Sequence, residues 1–278
     1  MSRPAGVDRL VEHFLPLLVT AGDYALALQP AIRSDAAKAG PNAWVQAVTD
    51  ADHGVQAFLE VATRGAFPDV DFYGEEQDSS RNARYFPAGA DLKVWLDPIN
   101  GTFLYRGQRP GWDIILGITE RNALAAVISY MPARGRFYLA VRGHGALTGD
   151  RHCQRLEQFG PLRTRPGSNT CLTYRAPAEL ARLRRAFEAF DIVEDDDPAR
   201  GIDNLNDLFT GRLDAFLSPH ADLLDWGAIA YVVVAAGGVA SGLAGEPLEI
   251  FANYGLRTTP LVVSTSPEVH ARVLSALR

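Results

Sequence analysis

Three acidic segments carry the side chains best suited to binding a cation and a phosphate. They are Gly74-Glu75-Glu76, the run WLDPINGT from Trp95 to Thr102, and the run DLLDWGA from Asp222 to Ala228. Each is expected at a strand end or a helix start, where a cleft would form. Carboxylates that converge without enough lysine or arginine repel one another and need a cation. Oxygen ligands favour Mg²⁺ or Mn²⁺ over zinc.

Each segment also has an ordinary structural interpretation. A Glu75-Glu76 pair after a glycine is typical of a solvated turn, and Asp97-Pro98 is typical of the start of a turn. Asp225 could be a helix N-cap. Taken one at a time, the segments therefore do not establish a functional site.

The composition is that of an ordinary globular protein and excludes several classes. Of the 278 residues, 47% are hydrophobic and 22% are charged, which excludes disorder as the dominant state. The formal net charge is −6 and no basic block is present, so nucleic-acid binding is not expected. Without an apolar run near the roughly 20 residues of a membrane span, and without a signal-peptide layout, we expect a cytoplasmic protein and no membrane partner. Cys153 and Cys171 lack the spacing of a zinc site or a disulfide scaffold.

The periodicity of the first half predicts the elements that position the acidic segments. Apolar residues from Val7 to Leu28 recur at helical spacing, with a kink or break expected at Pro16. A polar loop over Ser34–Asn42 precedes a second helix that begins near Thr49 to Asp52. Short strands are predicted over residues 70–74 and 93–96, the second ending directly at Asp97-Pro98. An antiparallel meander is predicted over residues 113–119, 124–130 and 136–141.

The second half is predicted to alternate strands with helices. The strands are expected over residues 170–174, 192–193, 213–217 and 261–264, and the helices over residues 178–190, 204–209, 226–236 and 267–277. Helices on both sides of mixed sheets predict a layered α/β or α+β sandwich. We expect two domains: residues 1–160 as an α+β domain with the metal site, and residues 161–278 as an α/β domain that completes the cleft.

Together and in this order, the segments resemble the magnesium-dependent, lithium-sensitive inositol monophosphatases. The run from Asp97 to Thr102 resembles the family's Asp-Pro-(Ile/Leu)-Asp-Gly-Thr signature, and the segment around Asp225 its Trp-Asp-x-Ala-Ala segment. The run from Val48 to Asp52 is similar to its Val-Thr-x-x-Asp. The resemblance covers nearly the whole chain and implies a layered α-β-α-β-α sandwich of the sugar-phosphatase type.

The resemblance also implies an activity. It implies Mg²⁺-dependent hydrolysis of a small phosphate monoester, of the inositol-, sugar- or nucleotide-phosphate class, with Mn²⁺ as a second candidate metal. Inhibition by Li⁺ and a homodimer are expected on the same ground.

Roles for individual residues follow from the resemblance as well. It implies that the metal ligands are Glu75, Asp97, the carbonyl of Ile99, Asn100 and Asp225. Thr102 and Asp52 would take a proton from a metal-bound water, and Glu76 would act from the outer coordination sphere. The substrate would contact Asn100, Gly101, Thr102, Gly201, Ile202, Asp203 and Ser218.

Two departures from the family pattern change the expectation. Asn100 replaces the second aspartate of the signature, so its amide oxygen can ligate a cation but brings no charge. The loss is up to about 4 kcal/mol of attraction at roughly 4 Å and an effective dielectric of about 20. We therefore expect weak binding of a second metal, impaired catalysis, and higher activity in Asn100→Asp. Ser218 replaces an acidic residue that contacts inositol in the inositol-specific members, so inositol 1-phosphate is expected to be a poor substrate.

One alternative function remains open from the residues. Asn100 favours a catalytically silent member of the family that binds a phosphorylated metabolite or a protein partner. The enzyme is favoured instead by the coexistence of Glu75, Asp97, Thr102, Asp52 and Asp225.

Overall fold

The computed structural model describes residues 6–32, 49–249 and 251–278. The polar loop predicted over Ser34–Asn42, and Val48 of the Val-Thr-x-x-Asp match, lie outside these residues. The chain divides into two compact units. The first comprises Met1–Arg142 with Thr148–Gly160, and the second comprises Gly143–Leu147 with Pro161–Arg278.

The described residues contain two sheets and six α-helices, and the mixed α/β class is confirmed. The helices are α1 (Val7–Leu28), α2 (Asp50–Ala66), α3 (Thr102–Arg106), α4 (Pro177–Leu183), α5 (Ala228–Ala235) and α6 (Pro267–Leu277). The strands are β1 (Asp71–Gly74), β2 (Leu92–Asn100), β3 (Asp113–Glu120), β4 (Ala123–Met131), β5 (Arg136–Val141), β6 (Gly145–Asp150), β7 (Gly160–Pro161), β8 (Thr170–Thr173), β9 (Glu188–Asp191), β10 (Ala215–Asp222), β11 (Val239–Ser241) and β12 (Thr258–Ser264).

The two sheets differ in strand order: the strands of one follow the order of the sequence, and those of the other do not. The seven-stranded sheet has the order β1-β2-β3-β4-β5-β6-β7, and the five-stranded sheet the order β11-β12-β10-β8-β9. In the first, β1 pairs with β2 in parallel, β3 to β5 form the predicted antiparallel meander, and β2 joins that meander by pairing antiparallel with β3. No helix of the described residues is both long and apolar enough to cross a membrane.

Helix α1 is continuous through Pro16, so of the kink or break expected there the break does not occur. Pro16 is exposed, so the carbonyl that loses its helical partner there can bind water instead. Phe14, Leu15 and Leu18 are fully buried on either side of the proline. Their burial holds both halves of the helix against the core, and this offsets the lost hydrogen bond.

Strand β2 is longer than predicted and contains Asp97-Pro98. Its pairing with β3 shifts between Asp97 and Asn100, so the chain bulges there and resumes pairing at Asn100. A bulge tolerates proline because the residue that lacks an N–H is not required by the ladder. The acidic signature therefore lies within the end of a strand, and not after it.

Two helices of the second unit differ from the prediction. The helix expected to reach Phe190 ends at Leu183, and residues 188–191 form β9, which pairs in parallel with β8. The helix expected from Trp226 begins at Ala228, after a wide π-type turn over Leu223–Gly227. The final helix begins as predicted, with the Ser266 hydroxyl accepting the N–H of Val269 at 3.2 Å.

Candidate active site

The parallel pairing of β1 with β2 brings the first two acidic segments together. Gly74 lies opposite Leu96, and the N–H of Glu75 donates to the carbonyl of Leu96 at 2.9 Å. Glu75 and Asp97 therefore follow at neighbouring positions of adjacent strands. Asp97 is only 2% exposed, whereas Glu75 is exposed. One carboxylate is thus held in the sheet and the other is open to solvent.

The bulge in β2 is closed by its own side chains. Asp97 Oδ1 accepts the N–H of Ile99 at 3.0 Å, and the carbonyl of Ile99 accepts the Thr102 hydroxyl at 3.0 Å. Gly101 has φ +85°, a left-handed conformation that turns the chain from β2 into α3. Asp97, the carbonyl of Ile99 and the hydroxyl of Thr102 are thereby gathered within six residues.

Asn100 is held by an acidic residue of the next strand. Its Nδ2 donates to Asp113 Oδ1 at 2.8 Å, and the hydroxyl of Ser129 donates to Asp113 Oδ2 at 2.5 Å. Asp113 is fully buried. Sequence reasoning missed Asp113 and Ser129, although an aspartate inside the apolar run WDIIL was a signal.

Asp52 lies at the start of α2 and is almost completely buried. Its Oδ2 accepts the backbone N–H of Thr49 at 2.8 Å and the Thr49 hydroxyl at 2.6 Å, so the two residues form a capping box. Burial raises the pKa of Asp52 to about 7, the hydrogen bonds from Thr49 oppose the rise, and the negative charges of Glu75 and Glu76 add to it.

The structure does not join Asp52 to Thr102. No hydrogen bond connects the two side chains in the described residues, because Thr49 binds Asp52 and Ile99 accepts the hydroxyl of Thr102. Their role as a proton-transfer pair stays a prediction.

Glu76 is anchored through α2. Its N–H donates to Gln56 Oε1 at 3.0 Å, and Gln56 Nε2 donates to Glu60 at 3.0 Å. Glu60 also accepts the Ser80 hydroxyl at 2.7 Å and the Asn82 amide at 2.9 Å. Buried Glu60 thus ties the loop after β1 to the helix. Sequence reasoning missed this network, which joins residues 20 or more positions apart.

A cavity of about 430 Å³ opens beside this loop. Its lining includes His53, Glu60, Glu76, Ser80 and Arg81. Burial raises the pKa of Glu76, while the nearby His53 opposes the rise. The cavity therefore has a carboxylate on its wall that takes up a proton more readily than usual.

The third acidic segment belongs to the second unit. Asp222, and not Asp225, caps the turn there, since its Oδ1 accepts the N–H of Leu224 at 2.8 Å. Asp225 is half-buried and follows in the same turn. Trp226 stacks on Phe216 with ring centroids 4.7 Å apart, and Tyr174 lies 5.4 Å from the same indole.

The predicted substrate residues of the second unit differ in exposure. Gly201 has φ +64° and its carbonyl accepts Arg212 at 3.0 Å, while Ile202 and Asp203 are each 8% exposed. Ser218 is fully buried in β10, and its hydroxyl accepts the N–H of His220. That burial argues against direct contact between Ser218 and a substrate.

The donor chemistry of the first unit suits a hard cation. Among the described residues, no three His, Cys, Asp or Glu side chains are grouped so that they alone could hold a metal ion. The candidate set instead combines the carboxylates of Glu75 and Asp97 with the carbonyl of Ile99 and the amide oxygen of Asn100. All four donors are oxygen atoms, which fits Mg²⁺ or Mn²⁺.

Comparisons of the sequence identify related proteins. The sequence model of the Inositol monophosphatase family matches residues 20–278. A SuhB protein of Neisseria meningitidis serogroup B is 25% identical over 244 residues, which are 87% of this chain and 88% of that protein. The histidinol-phosphatase of Streptomyces coelicolor is 26% identical over 212 residues, which are 72% of this chain and 75% of that protein.

Two solved structures show the same fold. The IMPase of Thermotoga maritima superposes with a TM-score of 0.72 at 20% identity, covering 96% of each chain. An IMPase/NADP phosphatase in complex with NADP and Ca²⁺ superposes with a TM-score of 0.74 at 16% identity, covering 99% of this chain and 97% of that one. The family resemblance and the fold predicted from the sequence are confirmed.

Proposed function

Because the chain belongs to the inositol monophosphatase family, we propose that it is a divalent-metal-dependent hydrolase of a small phosphate monoester. Family membership and the phosphatases among its relatives support a phosphoric monoester hydrolase in general. The observation that carries the proposal is the oxygen-only donor set of Glu75, Asp97, Ile99 and Asn100 beside buried Asp52. Asp225, in the second unit, is proposed as a further ligand on the family resemblance alone.

The metal proposed is Mg²⁺ or Mn²⁺, with Li⁺ as an inhibitor. A divalent cation, when bound, lowers the pKa of water and offsets the charge of phosphate oxygens. Glu75 and Asp97 would hold it with the carbonyl of Ile99 and the amide oxygen of Asn100. The likeness to a phosphatase crystallised with Ca²⁺ supports a metal-dependent site.

Asp52 is proposed as the proton acceptor. A base whose pKa lies near the working pH is well matched to accept a proton and to release it again. Thr49 occupies Oδ2, and Oδ1 accepts no hydrogen bond from the residues that the structure describes. Asp52 would therefore accept the proton through Oδ1. The hydroxyl of Thr102 would orient the attacking water, and Glu76 would act from the outer coordination sphere of the metal.

The phosphate is proposed to sit at the turn after β2. Gly101 and Thr102 begin α3 there, where backbone N–H groups lack helical partners and can donate to an anion. Gly201, Ile202 and Asp203 are proposed to contact the rest of the substrate. A histidinol-phosphatase and an NADP-bound IMPase/NADP phosphatase among the relatives support a substrate class wider than inositol phosphates.

A catalytically silent binder is the second candidate function. The neutral Asn100 at a ligand position favours it. The similar protein from Xylella fastidiosa, which is called a Nus factor SuhB and not a phosphatase, also supports it. Retention of the carboxylates at positions 52, 75 and 97 favours the hydrolase.

A phosphate-release panel distinguishes the two candidates. The protein is assayed at graded Mg²⁺ and Mn²⁺ and in EDTA with inositol 1-phosphate, sugar phosphates, histidinol phosphate and NADP. We expect release that requires the divalent metal and that is lost in Asp97→Asn. Intact mass is checked first, because the Asn100-Gly101 pair can deamidate. If no substrate is hydrolysed at any metal concentration, the hydrolase proposal fails.

A further inference from the structure

The buried carboxylate of Asp113 is neither a proposed metal ligand nor a proposed proton acceptor. It lies in β3, where every residue from Asp113 to Thr119 is buried. Asn100 and Asp113 are directly opposite in the pairing of β2 with β3. A charged side chain in such a strand is costly unless it is hydrogen-bonded, and Asn100 and Ser129 donate to its two oxygens.

The hydrogen bond to Asp113 sets the orientation of the Asn100 amide. An ionised carboxylate only accepts hydrogen bonds, so it selects the Nδ2 end of the amide. The amide oxygen of Asn100 is then not the atom that meets Asp113, because the oxygen and the nitrogen diverge from the same planar carbon. The end that can ligate a cation is left for the site.

We propose that Asp113 is a positioning residue that aims the amide oxygen of Asn100 at a divalent cation and supplies the negative charge that Asn100 lacks. An aspartate at position 100 would combine an oxygen ligand and a charge in one side chain. Here the oxygen belongs to Asn100 and the charge to its hydrogen-bonded neighbour. The inference rests on the cation site of the proposed function.

The pair also changes what is expected of Asn100→Asp. That substitution alone would place a second carboxylate at 2.8 Å contact distance from Asp113, with no proton between them. The single change should therefore lower the stability of the metal-free protein, as the added charge near Asp97 already leads one to expect from the sequence, and the contact with Asp113 makes this loss larger. Exchanging both side chains, as Asn100→Asp with Asp113→Asn, keeps one amide–carboxylate hydrogen bond and one negative charge.

Magnesium binding tests the proposal without relying on turnover. Wild type, Asp113→Asn, Asn100→Asp and the exchanged double variant are titrated with Mg²⁺ by calorimetry, and their thermal midpoints are measured in EDTA and in Mg²⁺. Asp113→Asn keeps a side chain able to hydrogen-bond both neighbours but removes the charge. Asp191→Asn is the matched control, because Asp191 is a fully buried aspartate of the second unit that accepts the Thr173 hydroxyl at 2.9 Å.

We expect Asp113→Asn to weaken Mg²⁺ binding about tenfold or more, which is the usual effect of losing a group that supports a metal ligand. The double variant should bind Mg²⁺ close to the wild-type value. Asn100→Asp should melt about 5 °C or more below the double variant in EDTA and recover part of the loss in Mg²⁺. Asp191→Asn should lower the thermal midpoint without changing Mg²⁺ affinity.

Several results would overturn the inference. They are an unchanged Mg²⁺ affinity in Asp113→Asn, a double variant that binds as weakly as Asp113→Asn, and a wild type that binds neither Mg²⁺ nor Mn²⁺. If Asp113→Asn fails to fold, the Mg²⁺ affinity of the double variant is the test: a value close to that of wild type supports the inference, and a value at least about tenfold weaker overturns it. If the Mg²⁺ pattern holds but no phosphate is released from any substrate, the inference stands and the proposed hydrolase fails.

Discussion

The side-chain oxygen of Gln56 accepts the backbone N–H of Glu76 at 3.0 Å. The same amide group fills the space beside Gly74, where a Cβ would lie 2.2 Å from Gln56 Cδ. Helix α2 thus holds the acidic loop through a buried glutamine whose position depends on a glycine. The geometry of Glu75 and Glu76 is therefore set by a residue that carries no charge.

Gly74→Ala should displace Gln56 and destabilise the protein by about 1–3 kcal/mol, since the added methyl group overpacks a buried site. Gln56→Ala should cost a similar amount through the lost hydrogen bonds. The double variant should be only slightly less stable than Gln56→Ala, because the methyl group added at position 74 then has no glutamine side chain to clash with. Urea unfolding measures all three.

Gly65→Ala is the control for this comparison. Gly65 lies exposed near the end of α2 with nothing within 4 Å of an added Cβ, so alanine should stabilise by about 0.5–1 kcal/mol. If the losses in unfolding free energy from Gly74→Ala and Gln56→Ala add fully in the double variant, the two residues do not contact each other as described.

The stability of the metal-free protein should depend on pH through Asp52. Its pKa is about 7 when folded, against about 4 in an unfolded chain, so between these values the folded state binds the proton more tightly. Its contribution to stability is present below pH about 4 and is lost as pH rises to about 7, at roughly 1.4 kcal/mol per unit of pKa shift. Asp52→Asn removes the titration, so its stability relative to wild type should rise over this range.

Urea unfolding in EDTA at about pH 5, 6, 7 and 8 measures the stability difference between wild type and Asp52→Asn, over a range that includes the Asp52 pKa of about 7. Asp50→Asn, exposed in the same turn of α2, is the matched control for charge at the helix start. A stability difference between wild type and Asp52→Asn that stays constant over the series would contradict the prediction.

Thr102→Ala should lower kcat about 100-fold, the usual contribution of a positioned proton transfer, with stability changed by less than about 1 kcal/mol. The small stability effect is expected because, among the residues that the structure describes, the hydroxyl donates to one group, the carbonyl of Ile99. Thr102→Ser keeps the hydroxyl and should keep most of the activity. A loss below about tenfold in Thr102→Ala would show that the attacking water is activated elsewhere.

Inositol 1-phosphate should be a poor substrate compared with a phosphate monoester that carries a bulky or second anionic group. Arg106 ends α3 and Arg109 follows it, so both lie close in sequence to Thr102 and are proposed to meet such a group, whereas Ser218 is neutral and buried. Comparison of kcat/KM across the panel tests this. A preference of about tenfold for inositol monophosphates would refute it, since such a ratio needs about 1.4 kcal/mol of specific contacts.

Local patterns in the sequence were sufficient to predict several elements of the fold. The apolar spacing of α1, the starts of α2 and α6, and the turns of the β3–β5 meander each depend on neighbours within a few positions. The end of α4 could not be predicted in this way. Residues 184–190 are amphipathic enough for a helix, but residues 188–191 gain more by pairing with β8.

The candidate site also has a part that could be predicted from local sequence and a part that could not. The sequence by itself identified the run from Asp97 to Thr102 as the site's main segment, because its residue types are adjacent in the chain, but it ended the strand before Asp97, whereas β2 continues through a bulge to Asn100. Only the tertiary structure decided that Asp113 holds the amide of Asn100, and that Gln56 and Glu60 hold the acidic loop. These partners are 13 to 22 positions apart in sequence, and strand register and helix packing bring them together. No local pattern encodes such a pairing, because it depends on which faces of separate elements are buried against each other.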